Sequence, residues 1–299
     1  MQEILGNLSP KLRGIIAKIK DTDSIQEIRI RVNQPVKITA ADGFKFVSNT
    51  GLLADKGDFS DYRVSPADIQ TSLELISEGS VYTFIEEIRK GFITIKGGHR
   101  IGIAGKVITK NQAVINIREV NGLNIRIARE VKGSSEKILK LISDDACGVH
   151  NTLIIAPPNG GKTTALRDLT RVLSERHKIS LVDERCEIAA CFRGVPQLDV
   201  GPQTDILELC PKAQAMLIML RSMSPEIMVT DEVTCQEDLD VICRIINCGV
   251  KIITSIHGFT LDDIKARMGR ITEIFSRIVV LKKIGGIPSI EKIIKTNTC

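Results

Sequence analysis

Ala156-Pro157-Pro158-Asn159-Gly160-Gly161-Lys162-Thr163-Thr164 follows directly on the apolar run Thr152-Leu153-Ile154-Ile155 and opens an amphipathic stretch over residues 162–175. An apolar strand, a glycine-rich turn and a helix starting at a lysine make the phosphate-binding pattern G-x-x-x-x-G-K-[ST], with Ala156 at the first glycine. The pattern works mainly through backbone: N–H groups of the loop and of the first helical turn form an anion site, so alanine at the first position leaves it intact. Pro158, Asn159, Gly160, Gly161, Lys162, Thr163 and Thr164 are therefore expected to bind ATP, with Lys162 reaching the β- and γ-phosphates and the Thr163 hydroxyl on Mg²⁺.

The grammar around this loop is strand, loop, helix, repeated. Strands are expected at 152–156, 179–183, 227–231 and 250–256, with helices at 162–175, 212–222, 236–247 and 261–269. Short apolar runs alternating with amphipathic helices predict an α/β core built on a parallel sheet covered on both faces, with ligands at the carboxyl ends of its strands.

Three of those strand ends carry polar chemistry. Ile227-Met-Val-Thr-Asp231-Glu232 ends an apolar strand in two carboxylates, so Asp231 is expected in the Mg²⁺ hydration shell and Glu232 as the group that polarises the attacking water. Ser180-Leu-Val-Asp183-Glu184-Arg185 ends the strand after the loop's helix, which makes Glu184 a second candidate base beside the γ-phosphate. Ile252-Ile-Thr254-Ser255-Ile256-His257-Gly258 ends in groups suited to sensing that phosphate, His257 among them. Gly-x-Ser-x-Gly, His-Glu-x-x-His and Gly-x-Gly-x-x-Gly do not occur, which removes the corresponding hydrolase, zinc-protease and dinucleotide readings.

Upstream, Ser9-Pro10 and Ser65-Pro66 open short amphipathic helices, and alternating runs at 25–32, 36–40 and 44–47 read as strands. A turn is expected at Glu86 to Arg89, and a strand-rich stretch over 92–128 follows. The expected organisation is a smaller α+β domain over 1–132, a linker and connecting helix over 133–150, and the nucleotide-binding domain over 151–299.

The 299 residues carry 41 Lys+Arg against 36 Asp+Glu, and the excess of four in residues 1–150 is too thin for a polyanion footprint. Ten aromatics and no tryptophan leave little for base stacking, which sets a nucleic-acid-dependent ATPase behind a nucleotide-driven machine. No apolar run approaches the roughly 20 residues of a membrane span, so a cytoplasmic protein attached to membranes through partners is expected. Cysteines 147, 186, 191, 210, 235, 243, 248 and 299 form no Cys-x-x-Cys pair and read mainly as reduced core residues rather than a metal site at 186/191 or 243/248.

The phosphate loop, Val-Asp183-Glu184-Arg with Glu-Ile-Ala-Ala, Arg221-Ser-Met-Ser-Pro-Glu, Asp231-Glu232 and Thr-Ser-Ile-His257-Gly together resemble the stage III sporulation AA family of spore-forming bacteria. Glu27-Ile-Arg-Ile-Arg-Val, Gly98-His-Arg-Ile-Gly-Ile-Ala-Gly and Leu123-Asn-Ile-Arg-Ile-Ala-Arg extend the resemblance over nearly the whole chain. That family is similar to the hexameric ATPases of type II and type IV secretion. The likeness implies a RecA/AAA-like core and a mother-cell ATPase that energises a channel complex, together with a homo-oligomeric, hexameric ring. It also implies an arginine of the N-terminal domain acting on a neighbour's nucleotide: Arg126 first, with Arg100, Arg118 and Arg129 behind it. Where secretion ATPases often carry glycine this chain has Asp231, so the base stays open between Glu184 and Glu232. A nucleotide-gated assembly scaffold without useful turnover is the non-enzymatic alternative.

Overall fold

A computed structural model describes residues 1–40, 42–54, 62–78, 87, 91–144, 148–269, 271–284 and 287–296. The turn expected at Glu86 to Arg89 falls outside these residues except at Glu87, as do Cys147 and Cys299. Two compact units form: Met1–Arg129 with Phe192–Gln197, and Glu130–Cys191 with Leu198–Cys299.

In the first unit, α1 (Gln2–Gly6) and α2 (Pro10–Ile16) precede the strands β1 (Glu27–Arg31), β2 (Val36–Ala40), β3 (Gly43–Val47) and β4 (Leu53–Ala54). Helix α3 (Pro66–Ile76) and strands β5 (Phe92–Thr94), β6 (Arg100–Lys110) and β7 (Ala113–Arg126) follow. The strands form one antiparallel sheet in the order β4-β3-β2-β1-β7-β6-β5. Within the strand-rich stretch expected over 92–128, β6 and β7 form a long hairpin, closed by the two-residue turn Asn111-Gln112, both at positive φ as a type I′ turn requires. Alternation buries Ile28 and Ile30 of β1 and Leu123 and Ile125 of β7 against Leu12, Ile16, Ile69 and Ile76 of the helices. Asp68 joins the two helices: its carboxylate accepts from Ser9 Oγ at 2.9 Å, Tyr62 Oη at 2.7 Å and Ser65 N at 2.9 Å.

The second unit opens with α4 (Glu136–Ile142) and a short pair, β8 (Ser143–Asp144) and β9 (Gly148–Val149). The main chain then runs β10 (Thr152–Ala156), α5 (Lys162–Leu173), β11 (Ile179–Asp183), β12 (Thr204–Glu208), α6 (Lys212–Ser222) and β13 (Ile227–Glu232). It finishes with α7 (Gln236–Asn247), β14 (Lys251–His257), α8 (Leu261–Met268), α9 (Ile271–Ile274), β15 (Arg277–Ile284) and β16 (Ile287–Lys295). The sheet order is β12-β11-β13-β14-β10-β15-β16, parallel throughout except for the β15–β16 hairpin. Central β10 feeds both layers, with Ile154 and Ala156 facing the cluster of Leu166 and Leu169 of α5, and Leu153 and Ile155 facing Met216 of α6 and Ile242 of α7. Among the described residues no helix is long and apolar enough to cross a membrane.

The stretch 133–150 packs as part of the second unit, since Ile138 and Ile142 of α4 are buried in its core. Strands β12, β15 and β16 were not among the sequence expectations. Cysteines divide by position: Cys186 and Cys191 are buried, whereas Cys235 and Cys248, expected mainly as core thiols, are exposed at the N- and C-caps of α7.

Candidate active site

Gly160 makes the turn between β10 and α5 possible. A Cβ there would stand 2.7 Å from the Pro157 carbonyl oxygen and 2.9 Å from the Ala156 Cβ, so only glycine lets the chain double back this tightly. Asn159 at φ 56° and Gly161 at φ 90° complete the reversal, and Gly161 caps α5 without any side-chain bond. An α-helix leaves its first N–H groups without intrahelical acceptors, here those of Lys162, Thr163 and Thr164, at the positive end of the helix dipole. Lys162 Nζ donates to the carbonyls of Ala156 (3.0 Å) and Pro157 (3.3 Å), which folds the ammonium over its own loop. Burial pushes that ammonium below its ordinary range, while Glu232 pulls it back up. Thr163 and Thr164 are half-buried at the helix start.

The strand ends gather beside this loop in an order that the chain sequence does not follow. His257 ends β14 directly beside Ala156, and Gly258 N donates to the Ala156 carbonyl at 3.2 Å. The His257 ring packs edge-on against Phe259 and its carbonyl is held by Arg267. Thr254 is buried and donates to the Asp231 carbonyl at 2.8 Å. Strand β11, whose end was expected beside the γ-phosphate, stands three places from the loop strand with β13 and β14 between. A crossover helix fixes the hand of the connection but not how many places it skips.

Asp183, at the end of β11, is fully buried and accepts the N–H groups of Glu187, Ile188 and Ala189, each at 2.9 Å. Burial pushes its carboxyl up against the pull of those three donors. Arg167 of α5 grips the other side of the same turn, donating to the carbonyls of Ile188 (2.6 Å) and Glu187 (2.5 Å). Asp183 thereby fixes the direction in which its neighbour Glu184 leaves the strand.

Lys212, which the sequence pattern did not single out, organises the carboxylates. Its side chain is 3% exposed; Nζ lies 2.6 Å from Asp231 Oδ1 and 3.4 Å from Glu184 Oε2, and it donates to the Glu232 carbonyl. Burial raises the Asp231 carboxyl to about 6, with Lys212 opposing and Asp183 and Glu184 reinforcing the rise. Asp231 Oδ2 is buried and has no hydrogen-bond partner among the described residues. Glu232 keeps a looser environment, its Oε2 3.8 Å from the exposed Arg185. One local signal marks Lys212 in the sequence: a lysine at the first position of a helix opposes the dipole there and calls for a compensating anion.

Beside the loop is a cavity of about 570 Å³, bounded by Val131, Lys137 and Ile138 on one side, Gly161 and Thr164 on another, and Ile290 on a third. Arg126 lies in the first unit on β7, its side chain 67% exposed and its Nε 3.9 Å from Glu27 Oε2. In that unit Arg100 stacks over the Phe92 ring at 3.9 Å and Arg129 donates to the Ile25 carbonyl at 2.7 Å. The second unit thus brings together the loop, His257, Asp231, Glu232 and Glu184 at the carboxyl edge of one sheet, while Arg126 belongs to the other unit.

A family model described as "Sporulation stage III, protein AA" matches residues 1–298. Stage III sporulation protein AA of Bacillus subtilis (strain 168) is 39% identical over 275 residues, which are 89% of this chain and 85% of that protein. Among solved structures, the pilus retraction motor PilT with bound ADP aligns with a TM-score of 0.58 over 92% of this chain and 80% of that one, at 15% identity. The ATPase DotB of Legionella pneumophila aligns at 0.54 over 87% and 73%, at 13% identity. At these identities the two structures share the fold with this chain.

Proposed function

The chain belongs to the family of sporulation stage III protein AA, and from that premise we propose that it is an ATP-hydrolysing motor of a sporulation secretion or channel complex, working as an oligomeric ring. Mg-ATP is its substrate. The observation that carries this reading is the Gly160-Gly161 turn with the half-buried ammonium of Lys162 and three carboxylates on one sheet edge. The cradle suits a polyphosphate, because the space a Cβ would take at Gly160 is what lets the loop N–H groups converge.

Lys162 neutralises charge on the β- and γ-phosphates, and the loop from Pro158 to Thr164 wraps them. The Thr163 hydroxyl ligates Mg²⁺, and Asp231 serves its hydration shell through Oδ2, the oxygen that Lys212 leaves without a partner. Glu232 takes the proton from the attacking water, since Glu184 and Asp231 are both held by Lys212 while the Glu232 carboxylate lies 3.8 Å from Arg185 and within the field of the Lys162 ammonium. His257, in register with the first residue of the loop, senses the γ-phosphate, and Arg126 of one subunit completes the site of the next.

Loss of the γ-phosphate then weakens one interface of a hexamer and drives relative motion of the units. Membrane proteins of the channel complex hold the ring at the mother-cell face of the forespore membrane. The test is phosphate release by the assembled protein with and without Lys162→Ala. Hydrolysis should vanish in the variant, and retention of full activity would overturn the assignment.

A further inference from the structure

Asp168 lies on α5, six positions after Lys162, and is 3% exposed. Its Oδ2 accepts from Ser135 N at 2.8 Å and Ser135 Oγ at 2.7 Å; its Oδ1 accepts from Gly133 N at 3.2 Å and from Arg171 at 2.7 Å and 3.1 Å. Every donor is oriented at an ionised carboxylate. Burial works against that charge, but the donors outweigh it and hold the carboxyl below its ordinary range.

What those bonds hold is a wall. The segment carrying Gly133 and Ser135 supplies Val131, Lys137 and Ile138 to the cavity beside the loop, and α5 supplies Thr164 and Ala165 from the opposite side. Gly133, at φ 79°, turns the chain so that two successive stretches of it reach one carboxylate. The cavity begins where the phosphate loop ends, at Gly161, and its lining is aliphatic where Val131, Ile138 and Ala165 face it. An aliphatic slot next to a phosphate cradle suits the flat face of a heteroaromatic base and its sugar.

We infer that Asp168 is a positioning residue for the nucleoside half of the substrate: through Gly133 and Ser135 it fixes residues 131–138 as one wall of the base pocket, without touching the nucleotide. The inference rests on the ATP-binding reading above. It makes the two halves of the substrate separable, with phosphates held by the loop and the nucleoside held by a wall that Asp168 clasps to the loop's own helix. Removing the clasp loosens the wall and leaves the cradle as it is.

The experiment compares ATP with inorganic tripolyphosphate, which fills the cradle alone. On the full-length protein, dissociation constants of a fluorescent ATP analogue and competition constants of tripolyphosphate are measured for the unaltered chain, Asp168→Asn and the milder Ser135→Ala. Ser135→Ala deletes a single hydrogen bond, so it keeps the comparison open if Asp168→Asn fails to fold. ATP binding should weaken about tenfold in Asp168→Asn and about threefold in Ser135→Ala. KM should rise in step, kcat should change by less than twofold, and tripolyphosphate should bind all three proteins alike. Equal weakening of ATP and tripolyphosphate, or unchanged ATP binding in both variants, would overturn the role of Asp168. An unaltered chain that binds tripolyphosphate but not ATP overturns it as well, whereas one that binds neither overturns the ATP-binding reading itself.

Discussion

Lys212 Nζ stands 2.6 Å from Asp231 Oδ1, with the lysine side chain 3% and the aspartate side chain 12% exposed. A pair so buried pays a desolvation penalty on both ions, and removing one partner strands the other charge. Lys212→Met should therefore cost about 3–5 kcal/mol of unfolding free energy. The double variant Lys212→Met/Asp231→Asn should recover part of that loss, because the buried aspartate position no longer carries a charge and the half-exposed Glu184 can turn to solvent. Urea denaturation of the three proteins checks the order, and a double variant less stable than Lys212→Met would refute the pairing.

The same lysine ranks the candidate bases. Glu184 shares its ammonium at 3.4 Å, whereas Glu232 offers Lys212 only a backbone carbonyl and leaves its own carboxylate 3.8 Å from Arg185. Glu232→Gln should reduce turnover by roughly 10²–10⁴ while nucleotide still binds. Glu184→Gln should reduce it far less, through relaxed positioning of Lys212. Steady-state phosphate release decides, and the reverse ranking would move the base to Glu184.

What was legible in the sequence was local. The run from Thr152 to Leu173 encodes strand, turn and helix in consecutive residues, and β10, β11, β13 and β14 were read to within a residue or two at each end. Pairings between distant segments were not legible. Nothing near Asp183 tells that β13 and β14 lie between β11 and the loop strand, and nothing near Lys212 names Asp231, 19 residues on, as its partner. Asp168 fits the pattern of an amphipathic helix as one more polar residue, and nothing in that pattern names Ser135, 33 residues before it, as its partner. Strands β15 and β16 escaped for a different reason: the apolar run Ile278 to Leu281 of β15 is followed by no helix and so falls outside the strand–loop–helix grammar, and Glu291, Lys292 and Lys295 break up the apolar residues of the edge strand β16.

Gly160→Ala tests the loop without touching any charge. The added methyl meets the Pro157 carbonyl at 2.7 Å, closer than real contacts allow, and both groups belong to the turn itself. The loop must open, which pulls its N–H groups out of convergence. ATP and tripolyphosphate should both lose binding in this variant, in contrast to the selective effect expected at Asp168. Calorimetric titration with each ligand provides the comparison, and normal tripolyphosphate binding would show that the backbone cradle is not the anion site.

His99 gives the first unit a pH dependence. The ring is 6% exposed, and its Nδ1 accepts the N–H of Ala128 at 3.1 Å, a bond available only to neutral imidazole. Burial pushes its pKa down, the N-terminal ammonium adds to the fall, and Glu3 opposes it. The unfolded chain takes up its proton near the ordinary value of about 6.5 while the folded chain refuses it until lower pH. Stability from this group is thus complete above about 6.5 and declines as pH falls toward the folded value. Urea midpoints at pH 7.5 and 5.5 should differ less for His99→Gln than for the unaltered protein. An equal difference would assign the acid sensitivity to other groups.

Arg126 is held loosely enough to serve a second subunit. Its guanidinium is two-thirds exposed and reaches Glu27 only at 3.9 Å, while Glu27 is held more closely by Arg29 at 2.5 Å and by Asn124 at 3.1 Å. Releasing Arg126 therefore leaves the Glu27 carboxylate satisfied. If this arginine acts on a neighbour's nucleotide, Arg126→Ala should lower turnover of the assembled ring by about 10³ or more without changing nucleotide binding to single subunits. Mixing it with Lys162→Ala then separates action across an interface from action within one subunit. Neither variant hydrolyses ATP alone, but a mixed ring pairs the intact Lys162 of one subunit with the intact Arg126 of the next. Activity should reappear in proportion to such interfaces. A mixture no more active than its components would return Arg126 to an ordinary surface role.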